Sequence, residues 1–300
     1  MSSHPSASTA QCCAEVALVA GVSTIIGLPL AKGVLEVGDR KVELDGYNAA
    51  HRIVCEAYAH VGASRGIGRA IAVGLAGCGA AVAVHYAGNE AAARDVAAEV
   101  ARLGCRSCVV AGDLADPAAP QRIFDAAVGQ LGRVDVLVLN ASVQHRHAWD
   151  ELPMDVAQQQ VQVNLLSTLA LVQRFAPPML DRGWGRIVTL GSVQQVAPSP
   201  QMPIYAATKA AQLNLVRNLA RDFAPRGVTV NNLAPGVIAT DLAADVLADP
   251  AWRQRVLDRI RVGYFGEPRD CVGAALLLCS GAGRYITGAD LVVDGGWSLQ

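Results

Sequence analysis

Lysine is scarce in this 300-residue chain: of 25 cationic side chains only Lys32, Lys41 and Lys209 are lysines, and charged residues make up 17% of the whole. No basic run occurs and the formal net charge is −1, so the electrostatic footprint of a phosphate-backbone binder is missing and nucleic acid is excluded as a partner. The arginine-rich stretch 251–261 interleaves its cations with apolar positions, as a solvated helix face does. Long hydrophobic runs are also lacking. The uncharged stretch from Val16 to Ala31 falls short of the ~20 residues a bilayer span needs, and Glu15 stands where an export signal would carry positive charge. No membrane association is expected, and a cytoplasmic location is. A disulfide or zinc framework is absent as well: Cys12, Cys13, Cys55, Cys78, Cys105, Cys108, Cys271 and Cys279 are scattered, and the Cys105-x-x-Cys108 pair has no second pair at metal spacing. They read as reduced, buried thiols, with no metal site.

What is present is apolar bulk, 52% of the residues, and a regular alternation that uses it. From residue 80 onward, short apolar runs (80–86, 107–114, 134–142, 185–192, 227–236, 289–296) alternate with amphipathic stretches (89–104, 117–132, 151–182, 202–225, 267–280). This is the signature of right-handed βαβ units, and it predicts an α/β fold with a doubly wound, Rossmann-like parallel sheet. The sheet domain is expected over 57–300, with a mobile substrate lid at 241–265 and an atypical N-terminal extension at 1–56. Within that extension Val16 to Glu36 repeats the strand, turn and helix layout of Ala57 to Gly77, with Ile25 and Ile26 in place of the turn's glycine and the residue after it. Strand one is expected at 57–61, which puts His60 in a buried strand as a hydrogen-bonded core residue; the competing assignment gives the strand-one place to 16–21.

Gly62-Ala-Ser64-Arg65-Gly66-Ile67-Gly68 is the candidate phosphate cradle. Glycine at 62 allows a tight turn, at 66 it lets the backbone approach phosphates, and at 68 it lets the next helix pack close with its N-terminus toward negative charge. Such a motif alone is also an ordinary strand-to-helix turn.

Tyr205-Ala-Ala-Thr-Lys209 lies in a helical pattern that sets the phenol and the ammonium one turn apart on one face. By itself the spacing equally describes a half-buried tyrosine and a surface lysine. The context differs: Lys209 sits between alanine-rich stretches, and Arg186 to Ser192 reads as a buried strand delivering a hydroxyl at its carboxyl end, where open α/β sheets place ligands.

Taken together, these residues resemble the classical short-chain dehydrogenase/reductase family over about four fifths of the chain, and are similar to its 3-oxoacyl-[acyl-carrier-protein] reductases. The matching features follow the family's order: Gly62, Gly66 and Gly68; Asp113 and Leu114 after the third strand; Asn140 and Ala141 after the fourth; Asn164; Ser192; Tyr205; Lys209; then Pro235, Gly236, Val237, Ile238 and Thr240. The resemblance implies an oxidoreductase in which Tyr205 is the general acid/base and Ser192 holds the substrate oxygen. It further implies that Lys209 binds the nicotinamide ribose and lowers the tyrosine pKa, that Asn164 supports a water relay, and that the protein is a homo-oligomer, dimer or tetramer. The chain departs from the family at Val61, where threonine is usual, and at Leu139-Asn140-Ala141-Ser142, where the family reads Asn-Asn-Ala-Gly. Those departures motivate the alternative of a catalytically silent, NADP-binding regulatory relative.

Strand two ends His85-Tyr86-Ala87-Gly88-Asn89 without the acid that binds adenine-ribose hydroxyls in NAD sites, and Ser64 and Arg65 stand where a 2′-phosphate would lie. NADP(H) is expected in preference to NAD(H). The substrate is a small molecule with a carbonyl or alcohol, bordered by loop 142–149, Gln194, Gln195 and the lid aromatics Trp252, Tyr264 and Phe265. His145-Arg146-His147 reads either as a solvated rim or as an anion or metal site.

Overall fold

The computed structural model describes residues 66–240 and 248–299, together with the backbone of 18–19, 22–23, 33–37, 40–44 and 52–56. The chain forms two compact units, Met1–Ala49 and Ala50–Gln300. In the first, Leu18–Val19 pairs antiparallel with Val22–Ser23, and Gly33–Val37 with Arg40–Leu44. This corrects two expectations: 18–19 is not a parallel central strand, and 33–37 is extended where the repeat calls for helix.

The second unit is built on seven parallel strands: β1 (Arg52–Glu56), β2 (Ala81–Tyr86), β3 (Ser107–Ala111), β4 (Val136–Leu139), β5 (Gly185–Leu190), β6 (Val228–Pro235) and β7 (Asp290–Val293). Their order across the sheet is β3-β2-β1-β4-β5-β6-β7. β1 lies upstream of the expected 57–61, so the sheet begins before the boundary drawn at 56/57, and His60 falls outside the described residues. A run next to a glycine turn invites assignment as its strand, yet Arg52-Ile-Val-Cys-Glu56 has the apolar centre that pairing between β2 and β4 requires. Every residue of β4, β5 and β6 is buried, which explains their nearly continuous apolar character.

Because the order reverses between β1 and β4, successive crossovers run to opposite faces and leave a crevice at the carboxyl ends of the strands. Among the described residues the α-helices are α1 (Ile67–Gly77), α2 (Glu90–Arg102), α3 (Ala119–Leu131), α4 (Met154–Val161), α5 (Ser167–Arg182), α6 (Pro203–Phe223), α7 (Pro250–Leu257) and α8 (Val272–Cys279). Their faces follow from sequence spacing. In α2, Ala92, Ala93, Val96 and Val100 form the buried stripe, and Asn89 Oδ1 caps the helix by accepting from the Ala92 N–H at 2.9 Å. On the other face α3 and α5 meet through Phe124 and Phe175, ring centroids 5.1 Å apart at 71°.

Two segments depart from the expected pattern. The 151–182 stretch is α4 and α5 joined through one π-helical turn, Gln162–Leu166. Part of the expected mobile lid is the helix α7, started by Asp249, whose Oδ1 accepts from the N–H groups of Ala251 and Trp252; residues 241–247 lie outside those described. Among the described residues no helix is long and apolar enough to cross a membrane.

The position of β1 yields a paired prediction. Deleting 1–49 removes only the first compact unit and should leave a soluble, cooperatively melting protein, whereas deleting 1–56 also removes β1 and leaves β2 and β4 unpaired at the sheet centre. Circular dichroism melting curves check this; two equally folded truncations would displace 52–56 from the sheet.

Candidate active site

Pro203 at the first turn of α6 starts the helix, and the 3.6-residue period then turns Tyr205 and Lys209 inward, 8% and 1% exposed. A buried ammonium needs acceptors. Lys209 Nζ donates to the carbonyl of Leu190, the last residue of β5, at 2.7 Å and to Gln212 Oε1 at 3.3 Å, and it lies 5.7 Å from the Tyr205 ring centroid. Burial holds Lys209 down to about 7. Burial also pushes the Tyr205 phenol up, while hydrogen bonds with Ser192 and Ser142 pull it back.

Ser192 follows β5 directly and caps a short 3₁₀ turn, Val193–Gln195; its Oγ accepts from the Gln194 N–H at 3.2 Å. That turn is anchored from beneath. Gln195 Nε2 donates to Asp290 Oδ2, Asn232 Nδ2 donates to Asp290 Oδ1 at 2.7 Å, and Thr189 Oγ1 donates to Asn232 Oδ1 at 2.6 Å. Side chains from β5, β6 and β7 thus hold the serine turn at the sheet's edge.

Asn164, fully buried, projects from the π-helical turn. Its Oδ1 accepts from the Val143 N–H at 2.8 Å and from Ser142 Oγ at 3.1 Å, and its Nδ2 donates to the Val143 carbonyl at 2.9 Å and to Thr208 Oγ1 at 3.2 Å.

A cleft of ≈ 590 Å³ gathers most of the anticipated residues. Gly66, Ile67 and Gly68 enter from the head of α1 and Asn140 from the end of β4; Ser192, Tyr205 and Lys209 form one wall, and Pro235, Gly236, Val237, Ile238 and Thr240 another. Asp113, Leu114 and Ala141 do not line it. Asp113 is exposed, its Oδ1 accepting from the Ala115 N–H, while Leu114 and Ala141 are buried. Gly62, Ser64 and Arg65 lie outside the described residues. Sequence reading missed Arg255 of α7, Arg259 just beyond that helix and Trp297, all lining the cleft, and it did not single out Ser142 as a site residue there. Arg146 also lines the cleft, whereas His147 braces its loop by donating its N–H to the Gln201 carbonyl at 3.0 Å. A dinucleotide suits this lining. Among the described residues nothing stands in front of Gly66 at the α1 N-terminus, no acidic side chain occupies that helix's first turn, and the buried Lys209 has one N–H beyond its two acceptors there.

A family model described as enoyl-(acyl carrier protein) reductase matches residues 62–298. The chain belongs to the short-chain dehydrogenase/reductase family. This short-chain dehydrogenase/reductase is similar to an L-rhamnose 1-dehydrogenase (NAD(P)(+)) of a Sphingomonas species, 38% identical over 236 residues that span 78% of this chain and 93% of that one. It is also similar to a 3-oxoacyl-[acyl-carrier-protein] reductase of Staphylococcus aureus, 36% identical over 239 residues, 78% of this chain and 95% of the relative. Among solved structures, a 3-oxoacyl (acyl-carrier-protein) reductase of Agrobacterium tumefaciens with NADP bound matches with a TM-score of 0.76 at 39% identity, covering 82% of this chain and 93% of that one.

Lys209 offers a test that needs no cofactor. Its folded value near 7 lies below the ordinary 10.5, so the unfolded chain holds that proton more tightly. The destabilisation it causes is full below pH 7 and fades as pH rises toward 10.5. Lys209→Met should therefore melt higher than the parent at about pH 6, with the gain shrinking toward about pH 10 in calorimetry. A gain independent of pH would mean that the ammonium is not desolvated.

Proposed function

We propose that this short-chain dehydrogenase/reductase transfers a hydride between NADP(H) and a carbonyl or alcohol substrate, with Tyr205 as general acid/base. The observation that carries the reading is a single buried phenol, hydrogen-bonded to two serine hydroxyls and one turn from a buried lysine, on the wall of a cleft that begins at a glycine-led helix N-terminus. When bound, the nicotinamide supplies or takes up the hydride. The chain's own residues manage the proton. Ser192 presents its O–H toward the oxygen that gains negative charge, Tyr205 gives or takes the proton there, and Lys209 adds positive charge beside the phenol. Asn164 holds the loop after β4 against α6. The glycine motif 62–68, Asn140, Lys209 and Pro235–Thr240 would hold the cofactor. A silent relative would have little use for this assembled set.

Preference for NADP(H) is supported by the end of β2. The nearest carboxylate after it, Glu90, is engaged by Arg94 on α2, and no acid precedes it from His85 to Asn89. At the substrate end, Arg146, Lys209, Arg255 and Arg259 are the charged lining residues among those described, which favours substrates rich in oxygen or negative charge.

Tyr205→Phe should keep the fold and cofactor affinity while lowering turnover about 10²-fold or more; steady-state kinetics against a carbonyl panel reads this, and turnover within a few-fold of the parent would remove Tyr205 from the reaction. Arg65→Ala should weaken NADPH binding far more than NADH binding, since only NADPH carries the 2′-phosphate a guanidinium engages. Fluorescence titrations with both cofactors decide it, and equal losses would make Arg65 structural.

A further inference from the structure

The residue at 142, where the family pattern carries glycine, places a hydroxyl inside the site. Ser142 Oγ donates to Asn164 Oδ1 at 3.1 Å and lines the same cleft as Tyr205, whose phenol it draws down against the upward push of burial. The direction of each bond can be deduced. Val143 fixes the Asn164 carboxamide from both sides, its N–H reaching Oδ1 and its carbonyl receiving Nδ2, so Oδ1 faces Ser142 as an acceptor. Ser142 has one proton and commits it to Asn164, which leaves only lone pairs toward Tyr205. Ser192 Oγ already accepts from the Gln194 N–H, so its proton is free for the phenol oxygen. In the free enzyme the donors therefore run Ser192 to Tyr205 to Ser142 to Asn164, and a substrate oxygen would take over the O–H groups of Ser192 and Tyr205.

We propose that Ser142 is a third hydroxyl of the proton-transfer site, accepting from the Tyr205 O–H in the free enzyme, releasing it to point at the substrate oxygen, and turning to donate to the phenolate once that proton has left. The inference rests on Tyr205 being the acid/base. In the reductive direction the Tyr205 O–H bond breaks and an O–H bond forms on the substrate oxygen, the hydride half coming from the cofactor. Ser142 keeps its own proton throughout and only swings it from Asn164 Oδ1 to the phenolate. Among the described residues the charged side chains lining the cleft with Tyr205 are Lys209 on the same helix, Arg146 from the loop after β4, Arg255 from α7 and Arg259 just beyond it, none a carboxylate. Serine hydroxyls are thus the neutral donors that tune the phenolate against a cationic background.

The test uses the full chain with three substitutions: Ser142→Ala, Ser142→Thr and Tyr205→Phe. Tyrosinate ultraviolet absorbance is titrated without cofactor, with the Tyr205→Phe curve subtracted to isolate residue 205 and circular dichroism marking the range in which each protein is folded. The pH profile of turnover is the second readout. Ser142→Ala should move both transitions upward by on the order of one pH unit, and Ser142→Thr, which restores a hydroxyl, should bring them back. Unshifted transitions in Ser142→Ala, or a turnover loss uniform across pH, would overturn the proposal and leave Ser142 a brace for Asn164. Full turnover in Tyr205→Phe would instead fault the acid/base reading beneath it.

Discussion

One buried carboxamide ties together the parts that have to converge. Asn164 has two acceptor sites and two N–H groups, and all four are used: by the backbone of Val143 twice, by Ser142 and by Thr208. These partners come from the loop after β4 and from α6, while Asn164 itself comes from the helical run between β4 and β5. Leaving any of these groups unpaired in a fully buried position costs about 1–3 kcal/mol, so the three segments are held in a mutual register that a purely apolar contact would not impose. The positions of Tyr205 and Ser142 depend on that register.

The rest of the cleft follows the same economy of short connections from sheet to site. Ser192 is placed because β5 ends at Leu190, and Lys209 because that residue's carbonyl is within reach of its ammonium. The turn bearing Ser192 is pinned through Gln195 to Asp290 on β7, the outermost strand beyond β6. Loss of order at the sheet's far edge would thus be felt at the serine, through side chains rather than through the backbone.

Much of this was legible in sequence. Six of the seven strands lie within apolar runs read directly from residue spacing, and Tyr205, Lys209 and Ser192 meet because helical period and strand direction are local properties that spacing encodes. β1 was misplaced by several residues, because a glycine turn draws attention to its immediate neighbours and the modest run at 52–56 is flanked by arginine and glutamate. The π-helical turn was hidden within an unbroken helical pattern, since Gln162 to Leu166 has no proline or glycine to mark it. α7 was half legible: the arginine-rich stretch 251–261 reads as a solvated helix face, whereas its place within the 241–265 lid suggested a mobile segment, and the cap at Asp249 is the clearest local cue. Ser142 was noticed as a departure, but its partners lie on residues 22 and 63 positions away, a distance over which sequence spacing carries no information.

The π-helical turn also alters what one continuous helical run can do. A residue added to a single turn, without interrupting the hydrogen-bonded column, rotates everything beyond it by roughly 100° relative to an unbroken α-helix. α4 packs against α6, while α5 packs against α3, so the two halves serve different neighbours. Asn164 sits at the change of phase, facing neither neighbour's apolar stripe but the loop and helix that enclose the phenol. Insertion or loss of one residue between 162 and 166 would leave the composition of this run almost unchanged and yet re-aim sixteen residues of α5 at once, which makes this turn a place where length is constrained more tightly than side-chain identity.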